Sequence, residues 1–131
     1  MQDNQLEDVL YHYFTELWSA DTCYTPDLWS SENPALGQCV PTVLIIQDNY
    51  GGEIKRGTVH LIDGRTESHY WNIINNQIVD ITIVQYGDKI IKVTPRSDMP
   101  EGFSTLRGFV LANADTKRRY DLLKKKAKPL P

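Results

Sequence analysis

Three side chains in this sequence have the types and chain order for acyl-transfer chemistry: Cys39, His69 and Asp80. A thiol attacks a carbonyl after losing its proton, and an imidazole is the group suited to taking that proton near neutral pH. A carboxylate completes the set by holding the imidazole in one tautomer and stabilising the imidazolium that forms. The thiol comes first in the chain, the base second and the acid third. The fold must therefore bring one segment near residue 39 against two neighbouring strands.

The segment Gly37-Gln38-Cys39-Val40-Pro41 runs into the apolar stretch Val43-Leu44-Ile45-Ile46 and stops at Gly51-Gly52. Proline suits the first turn of a helix, where its missing N–H would have no intrahelical partner, and the glycines supply a left-handed exit. The pattern predicts a helix with Cys39 at or just before its start. Unpaired N–H groups and the positive end of the helix dipole favour an anion there, whether a thiolate or a developing oxyanion.

Downstream, Glu53 to Ile62 reads as a strand, Asp63-Gly64 as a tight turn and Thr66 to Ile74 as the return strand. Asn75-Asn76 offers a second turn into Gln77 to Val84. Two two-residue loops would set Thr58 opposite His69, His69 opposite Thr82 and Trp71 opposite Asp80. One face of this meander would gather His60, His69, Trp71, Asp80 and Thr82. The other, with Val59, Leu61, Tyr70, Val79, Ile81 and Ile83, would be core. His60, with Glu67 opposite it, is a rival base; the neighbouring Asp80 favours His69.

The remaining elements frame this centre. Apolar residues at 6, 9, 10, 13, 14, 17 and 18 predict a helix from residue 3 to about 19, with His12 on its flank. Residues 19–38 form a long approach loop rich in turn residues, and such loops often serve function. Trp29 and Asn33 are candidate pocket walls, Trp71 a rim residue, and Gln38 a candidate oxyanion donor beside the Cys39 N–H. A strand at about 89–94, ended by Pro95, a loop from Arg96 to Thr105 and a helix from about Asn113 through Lys126 close the chain. Residues 127–131 read as a frayed tail.

The 131 residues fit one α+β domain, and 40% apolar with 24% charged residues is an ordinary globular composition. A net charge of −3 argues against general affinity for nucleic acid, and the basic run from Lys117 to Lys128 complements a helix C-terminus. No stretch is long and apolar enough to cross a membrane, and the start has no signal-peptide pattern, so a cytoplasmic location is expected. Cys23 and Cys39, the two cysteines, are then expected to stay reduced, and without Cys-x-x-Cys or His-x-x-x-His spacing neither metal nor cofactor is expected.

Several motifs also carry a resemblance. Trp29, Asn33-Pro34, Gly37-Gln38-Cys39, Gln47-Asp48, Gly51-Gly52-Glu53-Ile54, Ser68-His69-Tyr70-Trp71-Asn72, Asp80-Ile81-Thr82, Gln85-Tyr86 and Arg119-Tyr120-Asp121-Leu122-Leu123 together resemble the YunG-like family of small bacterial proteins. Cys, His and Asp in that order are also similar to the papain-like superfamily, which includes NlpC-type peptidases and transglutaminase-like enzymes. That likeness implies a papain-like α+β domain, a Cys-bearing helix packed on an antiparallel sheet, and an activity on an amide or isopeptide bond of a protein or peptide substrate. Val40-Pro41 after the cysteine departs from the small or aromatic residues many such enzymes carry there. Two other classes fit the same residues: a non-catalytic binding module that keeps the site, and a redox-responsive thiol protein.

Overall fold

A computed structural model describes residues 5–131. Four α-helices surround a curled antiparallel sheet. The order is α1 (Gln5–Thr15), α2 (Cys39–Tyr50), β1 (Glu53–Leu61), β2 (Thr66–Ile74), β3 (Gln77–Val79), β4 (Ile90–Arg96), α3 (Leu106–Leu111) and α4 (Ala114–Lys126), with the strands arranged β3-β2-β1-β4. Short 3-10 turns at Ala20–Thr22, Pro26–Leu28 and Ile83–Tyr86 shape the connections.

The apolar run of α2 makes that helix the centre of the core. Thr42, Val43, Leu44, Ile45 and Ile46 are all buried, so nearly its whole circumference is covered, chiefly by β2 and α4, with side chains of α1 in the same core. Each fully buried Leu or Ile contributes roughly 1.5–3 kcal/mol of transfer free energy. From α1 come Leu10 and Phe14, followed by Trp18, whose Nε1 donates to Thr42 Oγ1 at 2.9 Å. Tyr70 and Ile74 close the core from β2, where Asn72 Nδ2 donates to the Val43 carbonyl at 3.0 Å. Residues 127–131, expected to fray, are tied back: Tyr13 donates to the Lys128 carbonyl, Tyr50 to that of Pro131, and Leu130 packs against the core.

The Asn75-Asn76 turn has both residues at positive φ, 51° and 63°, and sets Ile74 opposite Gln77 and Asn72 opposite Val79 as the two-residue loop requires. The first hairpin differs from expectation by one residue. Gly57, not Thr58, pairs with His69, because Ile62-Asp63-Gly64 forms a three-residue loop with Gly64 at φ 89° and Leu61 N–H bonded to the Arg65 carbonyl. A one-residue slip exchanges the faces of a strand. Gly57, Val59 and Leu61 therefore share the face of His69, and His60 lies on the opposite one with Tyr70.

The third strand also ends early, at Val79, so Asp80 and Thr82 lie beyond the ladder rather than within it. Pro95 does not end the last strand, since β4 is an edge strand and a proline there can face away from its neighbour. The short helix α3 stands directly after the expected loop, capped by Thr105 Oγ1 accepting from Gly108 N–H. Its six residues with an internal glycine give too little periodicity to read in advance.

Gly51 and Gly52 offer a controlled test of packing against backbone conformation. Both hold φ near 75°, but a Cβ on Gly51 would meet empty space, whereas one on Gly52 would collide with the Ile73 carbonyl oxygen. Gly51→Ala should cost about 1 kcal/mol, and Gly52→Ala several times that, measured by denaturant unfolding.

Candidate active site

Cys39 is the first residue of α2 and is half-buried. His69, in the middle of β2, is completely buried, and Asp80 follows β3 directly with 14% of its side chain exposed. The structure brings the last two together: His69 Nε2 lies 2.9 Å from Asp80 Oδ1 and 2.8 Å from Oδ2. With Nε2 donating to the carboxylate, Nδ1 is the nitrogen left to face the thiol. The Asp80 backbone N–H in turn donates to Glu7 Oε2 of α1 at 2.9 Å, which fixes the loop that carries the acid.

Burial of the imidazole disfavours its charge, but the Asp80 hydrogen bond, the Cys39 sulfur and the charges of both groups outweigh it, raising the His69 pKa from 6.5 to about 10. The ring is therefore an imidazolium at neutral pH. Sulfur stands close enough to act on its protonation, yet no hydrogen bond of strict geometry closes at the buried Nδ1. Such bonds commonly tighten only when substrate is bound. Tyr86 packs edge-on against His69, with ring centroids 5.7 Å apart, and Trp71 lies tilted to the ring at 6.1 Å. Burial, then the charges of Cys39 and Glu67, push the Tyr86 phenol upward, so it stays a neutral donor.

Positioning the thiol falls to the approach loop. Gly37, at φ 69°, leaves no room for a side chain: a Cβ there would sit 2.5 Å from Cys23 Sγ and 2.8 Å from the Tyr24 nitrogen. Gln85 then stitches this loop to the segment following Asp80. Its Oε1 accepts from Gly37 N–H at 3.2 Å, its carbonyl from Asn33 Nδ2 at 3.0 Å, and its Nε2 donates to the Thr82 carbonyl at 2.9 Å.

The other expected site residues fall in different places. Gln38 is fully buried, with Nε2 donating to the Ser19 carbonyl at 3.0 Å and Oε1 accepting from Thr22, so its amide faces inward. Asn33 is a tether, as above. Trp29 is half-buried, with its indole N–H on the Pro34 carbonyl at 3.0 Å. Trp71 is buried over Gly57, where any Cβ would strike its ring. His60 Nε2 pairs with Thr94 Oγ1 at 3.1 Å on the other face, away from the rival role its expected register gave it. Cys23 is buried, and both cysteines are free thiols. Glu7 was not legible in advance, since an acid in a helix first turn is ordinary dipole chemistry.

Two hollows flank the centre. A groove of about 970 Å³ has Cys39, Val40, Glu67, Tyr70 and Tyr86 in its walls. A second, of about 350 Å³, lies behind the acid among Glu7, Tyr11, Asp80 and Ile81. The sulfur thus borders open space while the ring behind it does not. Among the described residues no cluster of three His, Cys, Asp or Glu side chains could hold a metal, and no helix is long and apolar enough to cross a membrane.

The protein is thus an α+β domain with a helix-borne thiol set against a buried His-Asp pair. Its sequence matches the family described as YunG protein over residues 6–129, and the chain belongs to that family. It is 35% identical over 82 residues to the Bacillus subtilis (strain 168) protein named "Uncharacterized protein YunG", a match spanning 62% of this chain and 63% of that one. No solved structure matches.

Because the folded His69 pKa is raised, protonation of this ring stabilises the fold fully below about pH 6.5, and that contribution is lost as pH rises towards 10. Asp80→Asn should cost on the order of 3 kcal/mol at pH 6.5, by removing the partner of a buried cation. The gap from the parent chain should narrow steadily up to pH 10. Urea unfolding across that range measures it, and a gap independent of pH would contradict the assignment.

Proposed function

We propose that the protein is a cysteine-dependent hydrolase or acyl transferase acting on an amide or isopeptide bond of a protein or peptide, with a papain-like arrangement of its site. The observation that carries this reading is the buried imidazole of His69 hydrogen-bonded to Asp80, with Cys39 beside it on the wall of a groove. As the Cys39 thiolate, whose proton is held by His69, attacks the carbonyl carbon, the carbonyl electron pair moves to oxygen. His69 then gives its proton to the departing amine, and the C–N bond breaks to leave a thioester on Cys39. Water or a second amine, deprotonated by His69, takes the acyl group, and the sulfur leaves as the thiolate beside a reprotonated His69. The first-turn N–H groups of Cys39 and Val40 have no intrahelical acceptor and are the proposed oxyanion donors, in place of the inward-turned Gln38. No cofactor enters this path, and the cytoplasm is the proposed compartment, where a free nucleophilic thiol stays reduced.

One observation favours a second reading, a binding module that keeps the site without turnover: no hydrogen bond of strict geometry closes at His69 Nδ1. Iodoacetamide labelling separates the two. At pH 7 Cys39 should react faster than a free peptide thiol, and His69→Ala should slow it at least about tenfold. Labelling no faster than the peptide thiol, and unchanged by the substitution, would favour the binding module.

A further inference from the structure

The groove beside Cys39 has a composition that bears on what occupies it. Tyr24 and Leu28, each 70% exposed, and Phe103, 36% exposed, all stand on its walls, with Phe109 making an edge-on contact to Phe103 at 5.3 Å. Single exposed apolar residues are commonplace, but here four apolar side chains border one groove together with a nucleophile. The groove is not apolar throughout. Ser68, Asn113 and Thr116 line it too, which suits the N–H and C=O groups of a peptide better than a hydrocarbon chain.

Arg119, 2% exposed, supplies the charge. Its Nε donates to Asp115 at 2.9 Å and its Nη2 to Thr116 Oγ1 at 3.3 Å, which uses two of five N–H donors. Tyr24 covers the guanidinium at 5.4 Å from its ring centroid, and Arg119 forms part of the groove wall. Lys89 also lines the groove, and so does Arg65, which is ion-paired with Asp63 at 2.7 Å and with Glu67, the one acidic residue of the lining, at 3.5 Å. Asp115 is shared between Arg118, at 2.7 Å, and Arg119, at 2.9 Å, so one carboxylate faces two guanidiniums and this end of the groove complements an anion.

We propose that the groove holds an extended peptide segment with a bulky apolar side chain against Tyr24, Leu28 and Phe103 and a carboxylate reaching Arg119, with the peptide carbonyl presented to Cys39. This substrate class rests on the acyl-transfer reading above. The test uses the full chain and three vinyl sulfones with the same reactive end: acetyl-Glu-Phe-Gly, acetyl-Gln-Phe-Gly and acetyl-Glu-Ala-Gly. Rates of Cys39 modification are read by intact mass and peptide mapping. The Phe probe should outrun its Ala counterpart about tenfold, and the Glu probe its Gln counterpart about fivefold. Leu28→Ser with Phe103→Ser should erase the first preference and Arg119→Gln the second. The Glu-to-Gln exchange in the probe reads the Arg119 contact even if that variant does not fold. Either pair of rates falling within twofold on the parent chain would overturn the inference. Ratios between probes cancel the intrinsic reactivity of the thiol, so this failure is distinct from iodoacetamide labelling that ignores His69→Ala, which counts against the acyl-transfer reading alone.

Discussion

The constraint on which the rest of the structure depends is the burial of a charged imidazole. A completely buried His69 would ordinarily be neutral, because removing an ion from water is costly. The carboxylate of Asp80, 2.8 Å from Nε2, reverses that outcome, and it does so only while its own position is fixed. The fold fixes it from two sides. Glu7 reaches from α1 to hold the Asp80 N–H, and the Asn75-Asn76 turn delivers the chain to residue 80 in a single register. Tyr86 and Trp71 pack against the ring, which is fully buried, while Asp80 keeps a small exposure to the second hollow.

Aligning the thiol with this pair is a separate problem, because Cys39 lies on a helix and its partners lie on or beside strands far along the chain. Gln85 supplies the link. One side chain and one carbonyl tie Gly37 and Asn33 to the turn that follows Asp80, so the loops bearing nucleophile and acid cannot drift independently. The fully buried Gln38 adds a second anchor towards Ser19 and Thr22. These polar contacts surround the start of α2, whose apolar body is held by the core. A precise site on a loop and helix junction thereby rests on a rigid interior.

Much of this was legible in the sequence where local chemistry decides structure. Pro41 and Gly51-Gly52 bounded the helix that begins at Cys39, and Asn75-Asn76 fixed the second hairpin. What could not be read depended on one residue of turn length or on distant contacts. Whether Asp63-Gly64 closes a two- or three-residue loop decides the face of every side chain on β1, and both loops suit that dipeptide. That single choice moved His60 away from His69 and put Val59 and Leu61 on its side. The inward turn of Gln38, the role of Glu7 and the ties of Gln85 to Gly37 and Asn33 depend on partners 16 to 73 positions away, for which sequence offers no local signal.

The most direct test of the central claim is the protonation state of one ring. Nitrogen-15 NMR of the imidazole of His69 at pH 8, assigned with His69→Gln, reads both nitrogens separately. The account predicts that Nδ1 and Nε2 each carry a proton, with the Nε2 proton shifted far downfield by Asp80, and that Asp80→Asn returns the ring to neutrality. A neutral ring at pH 8 in the parent chain, with an unprotonated nitrogen facing Asp80, would contradict it.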